Sequence, residues 1–169
     1  MSTAHGHQPT WHGILNIDKP EGLTSHDVVA RVRRILNQRR VGHAGTLDPM
    51  ATGVLLVCAG QATRVAEQLM AGEKVYRAAI RLGATTDTYY AQGAVTATAP
   101  VPPLTVADLT RVLAAFTGEI EQVPPVFSAI KQSGVPSYRR ARRGEEVILP
   151  PRRVSIRHIE LQAWQAPDL

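Results

Sequence analysis

The chain has 169 residues, a formal net charge of +5, 44% hydrophobic residues and 20% charged residues. This composition excludes an intrinsically disordered chain and favours a soluble globular protein that can bury a core of its own. The single cysteine, Cys58, excludes an internal disulfide and lies in an apolar run that predicts an inert core residue.

The charge balance favours a polyanionic partner, because 19 Lys and Arg residues outnumber 14 Asp and Glu residues. Residues 1–12 are polar and predict a flexible arm. Neither a signal peptide nor a run of roughly 20 apolar residues is present, so we expect a cytoplasmic protein without a membrane span. His5, His7 and His12 lie in the arm without the rigid frame that a metal site needs, so we expect no bound metal.

The first elements follow from apolar periodicity. Residues 14–18 predict a short strand that ends at the turn-forming segment 19–22. A helix is expected from about residue 25 to residue 37, with Thr24 and Asp27 as a capping box. Its buried stripe is formed by Val28, Val29, Val32, Ile35 and Leu36.

A basic cluster accompanies the end of this helix. Arg31 and Arg34 lie off the apolar stripe, and Arg39 and Arg40 follow directly. Such a cluster is usually a solvated face, but its position immediately before a glycine-rich loop favours contact with phosphate.

Strands and helices continue after that loop. We expect a strand at 54–58, a helix at 62–70 and a long strand at 74–82. Residues 83–93 are polar and predict turns, and residues 94–98 predict a short strand.

A second capped helix begins after Thr105. Asp108 completes its capping box, and Gly118 is predicted to occupy the position just after its C-terminal end. Its apolar stripe is Leu109, Val112, Leu113 and Phe116. Residues 119–161 predict strands and turns with one basic helical turn near 138–143.

Strands outnumber helices, and short connections permit antiparallel pairing. The sequence therefore predicts an α+β fold, with a mixed, mainly antiparallel sheet and flanking helices. The strand expected at 153–161 has no following element to pair its edge, so we expect the chain to be the front part of a longer protein.

The glycine-rich loop carries the best candidate chemistry. Gly42, Gly45 and Gly53 permit positive φ angles and close approach of the backbone to a ligand. Asp48 precedes Pro49, which holds it extended, so its carboxylate is a plausible nucleophile or general base. On composition alone, an aspartate that stabilises its own turn is the better interpretation. The loop lacks the Gly-Lys-Ser/Thr ending of a P-loop, which argues against a nucleoside triphosphate site.

The loop resembles the motif Gly-His-x-Gly-Thr-Leu-Asp-Pro-x-Ala-x-Gly of the TruB family of tRNA pseudouridine synthases. Three further segments resemble that family's other motifs, in the family's order, between residue 13 and about residue 161. They are the strand and turn at 16–25, the segment 74–88 and the segment 122–144.

The resemblance implies a pseudouridine synthase catalytic fold over residues 13–169. It also implies isomerisation of a uridine in the T loop of tRNA, at position 55, by a protein that we expect to be monomeric. Asp48 would be the catalytic residue, either attacking C1′ or removing a ribose proton. Because isomerisation neither oxidises nor hydrolyses, no cofactor is expected.

The resemblance assigns substrate-binding roles as well. Tyr76 would stack on the flipped uracil, and His43 would fill the space that the base leaves. Gly45 and Thr46 would line the substrate site. Lys19 and Lys131 would contact phosphate; for each, a solvated surface lysine is the alternative.

Three departures from the family pattern stand out. Tyr90 takes the place of an acidic residue, and Phe127 takes the place of a tyrosine. The family also carries a later Ser-x-Gly-x-Tyr-Ile-Arg strand whose arginine pairs with the catalytic aspartate, and residues 1–169 do not include it. A buried aspartate without a cationic partner is a poor nucleophile, so we expect these residues alone to be inactive or nearly so.

Three alternatives stay open. The chain could be a non-catalytic RNA-binding protein of the same fold, or a relative that modifies rRNA inside a guide-RNA particle. The compact motif spacing and the lack of a Lys-rich tail favour the stand-alone bacterial type over the second. A phosphate-binding enzyme of another class is supported by the glycine-rich loop alone.

Overall fold

A computed structural model of the protein describes residues 10–126, 128, 130–132, 134–141 and 143–169, with the backbone alone for 131, 132, 136 and 138. The chain divides into two compact units, with the boundary between Tyr76 and Arg77. The paired strands run antiparallel and helices accompany them, so the predicted α+β class is confirmed.

The first unit contains a three-stranded sheet in the order β1-β3-β2. The central strand pairs with β1 from Gly13↔Ala59 to Lys19↔Gly53 and with β2 from Val41↔Ala59 to His43↔Val57. The elements of this unit are β1 Gly13–Lys19, α1 Ser25–Ile35, β2 Val41–His43, β3 Gly53–Ala59, a 3-10 helix Gly60–Val65 and α2 Ala66–Ala71.

One face of the central strand forms the core. Strand side chains alternate between faces, so Leu55, Val57 and Ala59 point the same way. All three are buried in one cluster with the valines of α1 and with Val41. Cys58 is also fully buried, which confirms the prediction of a core residue, and burial raises the pKa of its thiol.

The predicted capping box of α1 is confirmed. The Thr24 hydroxyl accepts from the Asp27 backbone N–H, and the Asp27 carboxylate accepts from the Thr24 backbone N–H. The assignment of Ile35 to the buried stripe was wrong, because its side chain is 80% exposed. The helix ends at this residue, and Leu36 at the cap packs against the core instead.

The second unit consists of short two-stranded sheets and two helices. Its sheets pair β4 with β5, β6 with β9 and β7 with β8. The elements are β4 Ala84–Thr86, β5 Val95–Thr98, α3 Val106–Ala114, β6 Gly118–Gln122, β7 Lys131–Gln132, β8 Val135–Pro136, α4 Ser137–Ala141 and β9 Arg152–Ile156.

The prediction of a long strand at 74–82 was wrong. Only its last residues find backbone partners in the described part of the chain: Ile80 exchanges two hydrogen bonds with Leu169, and the Leu82 N–H donates to Pro167. A strand needs a ladder of such bonds, and β propensity alone does not supply one.

Other element boundaries in the structure also differ from the predicted ones. The turn region predicted at 83–93 contains β4, and the helix predicted at 62–70 divides into the 3-10 helix and α2. The capping box of α3 at Thr105 is confirmed, but Gly118 begins β6 instead of ending the helix. Half of that helix's predicted stripe is exposed, with Val112 at 57% and Phe116 at 51%.

Within the described ranges, none of the helices is long and apolar enough to cross a bilayer.

A matched pair of substitutions tests the face assignment of β3. Val57→Ala is expected to lower the free energy of unfolding by about 2 kcal/mol, because it deletes buried methyl groups and leaves a cavity. Val54 is 66% exposed, and Val54→Ala is expected to cost less than about 1 kcal/mol. Urea unfolding of the 169-residue chain measures both, and equal losses would contradict the assignment.

Candidate active site

The candidate site is the loop that joins β2 to β3. It leaves β2 at Ala44, whose backbone N–H donates to the Leu56 carbonyl at 2.8 Å. Gly45 and Gly53 have φ angles of +115° and +105°, which side chains with a Cβ rarely adopt. These two glycines are therefore required by the backbone. Gly42 lies in β2, where its φ is outside the left-handed region.

Asp48 opens a tight turn within this loop. Its carbonyl accepts from the Ala51 backbone N–H at 3.0 Å, with Pro49 at the second turn position that proline favours. The side chain of Asp48 is exposed, so the expectation of a buried aspartate was wrong. The turn uses the backbone carbonyl of Asp48, and the residue is exposed to solvent.

Ser25, the first residue of α1, holds the loop through hydrogen bonds to Leu47. Its hydroxyl accepts from the Leu47 backbone N–H at 3.0 Å and lies 3.3 Å from the Leu47 carbonyl, to which it donates. The Ser25 side chain is almost fully buried. This role was not predicted from the sequence, because the capping signal at the helix start lies on Thr24 and the contact with Leu47 joins residues 22 apart.

Lys19 connects the loop to the turn that follows β1. The side chain is fully buried, and its Nζ donates to the carbonyls of Leu23 at 2.7 Å, Pro20 at 3.0 Å and Pro49 at 3.2 Å. The Gly22 backbone N–H also donates to the Pro49 carbonyl, at 2.7 Å. An ammonium group has three N–H donors, so this placement argues against the expected phosphate contact.

His43, at the end of β2, meets His26 of α1 edge to face. Their ring centroids are 5.1 Å apart and the ring planes make an angle of 80°. Burial lowers the pKa of His43, and this outweighs an opposing backbone interaction with Gly45. The buried Nδ1 of His43 has no hydrogen-bond partner among the described residues. His43 is therefore neutral at pH 7, with one ring nitrogen enclosed beside the loop.

The remaining predicted residues are not all brought together. Thr46 is exposed in the loop. Tyr76 is 70% exposed, and in the described part of the chain no hydrogen bond or ring contact joins it to the loop. Lys131 lies in β7 of the second unit, and its side chain is outside the description, as is Phe127. The first unit alone therefore gathers Lys19, His43, Gly45, Thr46 and Asp48 around one loop.

The histidines of the N-terminal arm divide between described and undescribed residues. His12 accepts at Nδ1 from the Gln61 backbone N–H at 3.0 Å, while His5 and His7 lie outside the described residues. Where the chain is described, no cluster of three or more His, Cys, Asp or Glu side chains could hold a metal ion.

Comparison with known sequences decides the family. Residues 33–169 match the profile of the TruB family pseudouridylate synthase N-terminal domain. The chain belongs to the TruB family. Its resemblance to that family, expected from four ordered motifs, is confirmed.

Two bacterial relatives illustrate the similarity. A tRNA pseudouridine synthase B of Syntrophotalea carbinolica is 48% identical over 158 residues, which cover 94% of this chain and 52% of the relative. One of Synechococcus is 50% identical over 152 residues, which cover 90% and 50%. This TruB chain thus spans about half the length of these relatives.

A solved structure shares the fold. The crystal structure of a Cbf5-Nop10-Gar1 complex matches with a TM-score of 0.58 and 29% identity, covering 93% of this chain and 37% of the matched one. The pseudouridine synthase fold predicted from the motifs agrees with this match.

Removing the Lys19 amine should loosen the loop of this TruB chain. Lys19→Met leaves the Pro20 and Leu23 carbonyls without this donor, while the Pro49 carbonyl keeps the Gly22 N–H. We expect a loss of about 2 kcal/mol in the free energy of unfolding. Faster hydrogen exchange at the Gly22 amide should accompany it. Lys74 is exposed and bonds only neighbouring carbonyls, so Lys74→Met is the control and should cost under about 0.5 kcal/mol. Equal effects of the two substitutions would contradict the role of Lys19.

The His26 contact should contribute, after burial, to the lowered pKa of His43. The pKa of His43 lies below its ordinary value of 6.5, so the unfolded chain binds a proton there at higher pH than the folded chain. The free energy of unfolding should therefore decrease as the pH falls below about 6.5. His26→Ala exposes the ring and removes a neighbouring charge, so the pKa of His43 should rise.

Imidazole NMR titration measures this shift. His158→Ala removes an exposed histidine that makes no ring contact with His43 among the described residues, so it is the control and should leave the His43 titration unchanged. A His43 that titrates at or above 6.5, or that ignores His26→Ala, would contradict the burial argument.

Proposed function

We propose that this chain is the N-terminal part of the catalytic domain of a tRNA pseudouridine synthase, with Asp48 as the nucleophile. The substrate is a uridine in the T loop of tRNA, at position 55, and the protein acts as a cytoplasmic monomer. The observation that carries the proposal is the exposed Asp48 in a loop whose Leu47 and Pro49 are held by hydrogen bonds to Ser25, Lys19 and Gly22.

Isomerisation places specific demands on such a carboxylate. The N1–C1′ bond of the uridine must break, and a C5–C1′ bond must form after the uracil has turned. The proton at C5 leaves and N1 gains one, so atoms and electrons balance without an oxidant, a reductant or a metal. Asp48 can begin this sequence by attacking C1′ or by removing a ribose proton; both routes need a carboxylate at a fixed position.

The surroundings of Asp48 fit a flipped nucleotide. The backbone at Gly45 carries no Cβ, and no atom lies within 4 Å of the place where one would stand, so a base or ribose can approach closely. Thr46 adds an exposed hydroxyl to the same loop. A neutral His43 can occupy the space that a base leaves without requiring a counter-charge.

Tyr76 completes the proposed substrate contacts. Its exposed ring offers a stacking surface for the uracil, which contributes about 1–3 kcal/mol per base in nucleic acid complexes. Lys131 is proposed to contact phosphate from the second unit. We assign Lys19 to the support of the loop instead, because its buried amine donates to three carbonyls.

The relatives favour a tRNA substrate over an rRNA substrate that a guide RNA selects. Bacterial tRNA pseudouridine synthases B are 46–50% identical to this chain, whereas the chain in the Cbf5-Nop10-Gar1 complex is 29% identical. Higher identity over the same region supports the stand-alone tRNA enzyme. A relative that works inside a guide-RNA particle is the less favoured alternative.

A chimera tests the catalytic proposal. This chain replaces the matching N-terminal half of the Syntrophotalea carbinolica relative, and tritium release from a tRNA transcript labelled at uridine C5 reports turnover. We expect the chimera to form pseudouridine. Asp48→Asn should slow it by about 10⁴-fold or more while tRNA affinity is kept. Asp18→Asn, at another exposed aspartate, is the matched control and should leave the rate unchanged.

The outcomes separate the alternatives. A folded chimera that binds tRNA without forming pseudouridine would support the non-catalytic RNA-binding protein instead. Turnover that survives Asp48→Asn would remove Asp48 from the mechanism. The 169-residue chain by itself should show little or no turnover, since the arginine strand expected from the family is not among its residues.

A further inference from the structure

Five exposed arginines gather at the end of the first unit where α1 terminates. Between Asp27 and Asp48 the sequence contains five arginines and no acidic residue. Arg33 donates a hydrogen bond to the Val41 carbonyl, so it is set aside. The other four arginines of this segment are exposed, and no hydrogen bond from their guanidinium groups to a backbone carbonyl is found among the described residues. Arg64 at the end of the 3-10 helix joins them. The distal basic surface is defined as Arg31, Arg34, Arg39, Arg40 and Arg64.

Hydrogen bonds make one unit of the three segments that carry this surface. The turn after α1 is closed by the Gln38 backbone N–H, which donates to the Arg33 carbonyl at 3.1 Å. The Arg40 carbonyl accepts from the Gly60 N–H at 2.8 Å, and Arg40 Nε donates to the Thr63 hydroxyl at 3.0 Å. The end of α1, the following turn and the 3-10 helix are thus held together.

The distal basic surface has few carboxylates to neutralise it. In the described ranges, the salt bridges involve Arg81, Arg111, Arg140 and Arg143, which all belong to the second unit. Acidic residues stand within one helical turn of Arg31 and Arg64, at Asp27 and Glu67, but not of Arg34 or Arg39. Exposed like charges held side by side repel one another, and a polyanion relieves that repulsion.

The surface stands at a defined distance from the candidate active site. Ser25, the first residue of α1, bonds to Leu47 of the loop, and Arg34 lies one residue before the helix ends at Ile35. Eleven residues of helix measure about 16 Å, which is the rise of about five stacked nucleotides in one strand. An RNA strand that places one uridine at Asp48 therefore has phosphates within reach of the far end of α1.

We propose that the distal basic surface binds the phosphates of the RNA strand that leads away from the target uridine. The identity of the polyanion as RNA rests on the proposed function, while the surface itself rests on the charges and contacts above. This second contact positions the RNA without reading its sequence, since arginine contacts to phosphate carry no base information.

Salt dependence gives a quantitative test with the 169-residue chain. Each phosphate contact adds about 0.7–0.9 to the slope of log affinity against log salt. The double variant Arg34→Gln/Arg39→Gln should therefore flatten the slope by about 1.4–1.8 for a tRNA transcript, between about 50 and 300 mM salt. At the low-salt end, binding should weaken by about 10- to 100-fold.

The control removes the same net charge from elsewhere. Arg81 and Arg111 are exposed and already paired with Asp168 and Asp108. Arg81→Gln/Arg111→Gln should leave the slope nearly unchanged, and circular dichroism should give the same fold for both double variants. An equal change in both would mean a general charge effect and would overturn the inference. So would an unchanged slope in the first variant, or no binding to the transcript at low salt.

This test is separate from the catalytic one. Asp48→Asn should not alter the salt slope, because it removes no phosphate contact. If the chimera is inactive and the slope still depends on Arg34 and Arg39, the catalytic proposal fails and the distal basic surface stands. If the chimera forms pseudouridine and the salt slope does not depend on Arg34 and Arg39, the catalytic proposal stands and the proposed role of the distal basic surface fails. An acidic protein as the true partner would appear as that second result.

Discussion

The candidate site depends on one buried amine. Lys19 is fully enclosed and donates to carbonyls on both sides of the gap between the β1–α1 turn and the Asp48 loop. A buried ammonium group is costly unless every donor is used, so the enclosure itself requires these carbonyls to stay where they are. Ser25 holds the neighbouring residue of the loop in the same way. The rigidity of the loop is therefore a product of the core, although the loop itself is exposed.

This arrangement separates support from chemistry. The backbone of Asp48 and Pro49 is committed to the turn and to the Lys19 contact, while the carboxylate of Asp48 is exposed. A catalytic group must be held to within a fraction of an ångström yet reached by a large substrate, and polynucleotides are large. The buried contacts of Lys19 and Ser25 would satisfy the first demand, and the exposure of Asp48 would satisfy the second. The arginines at the other end of α1 belong to the same framework, and the proposed RNA contact would use them.

Local signals in the sequence were sufficient for some elements and insufficient for others. The capping boxes at Thr24 and Thr105 were predicted correctly, because each depends on residues three apart in one chain segment. The strand at 74–82 was predicted from its residue types, but a strand exists only where a partner supplies a ladder. Ile35 followed the apolar period and is exposed, because the helix ends at this residue and Leu36 at the cap packs against the core instead.

The sequence by itself determined the family, the fold class and the loop that carries Asp48, because ordered motifs and hydrophobic periodicity are properties of the chain. Only the tertiary structure decided what surrounds each side chain. It buried Lys19 where a phosphate contact was expected, exposed Asp48 where a buried group was expected, and brought His26 against His43. Burial and partnership arise when distant segments pack, so residue identity and spacing along the chain do not contain them.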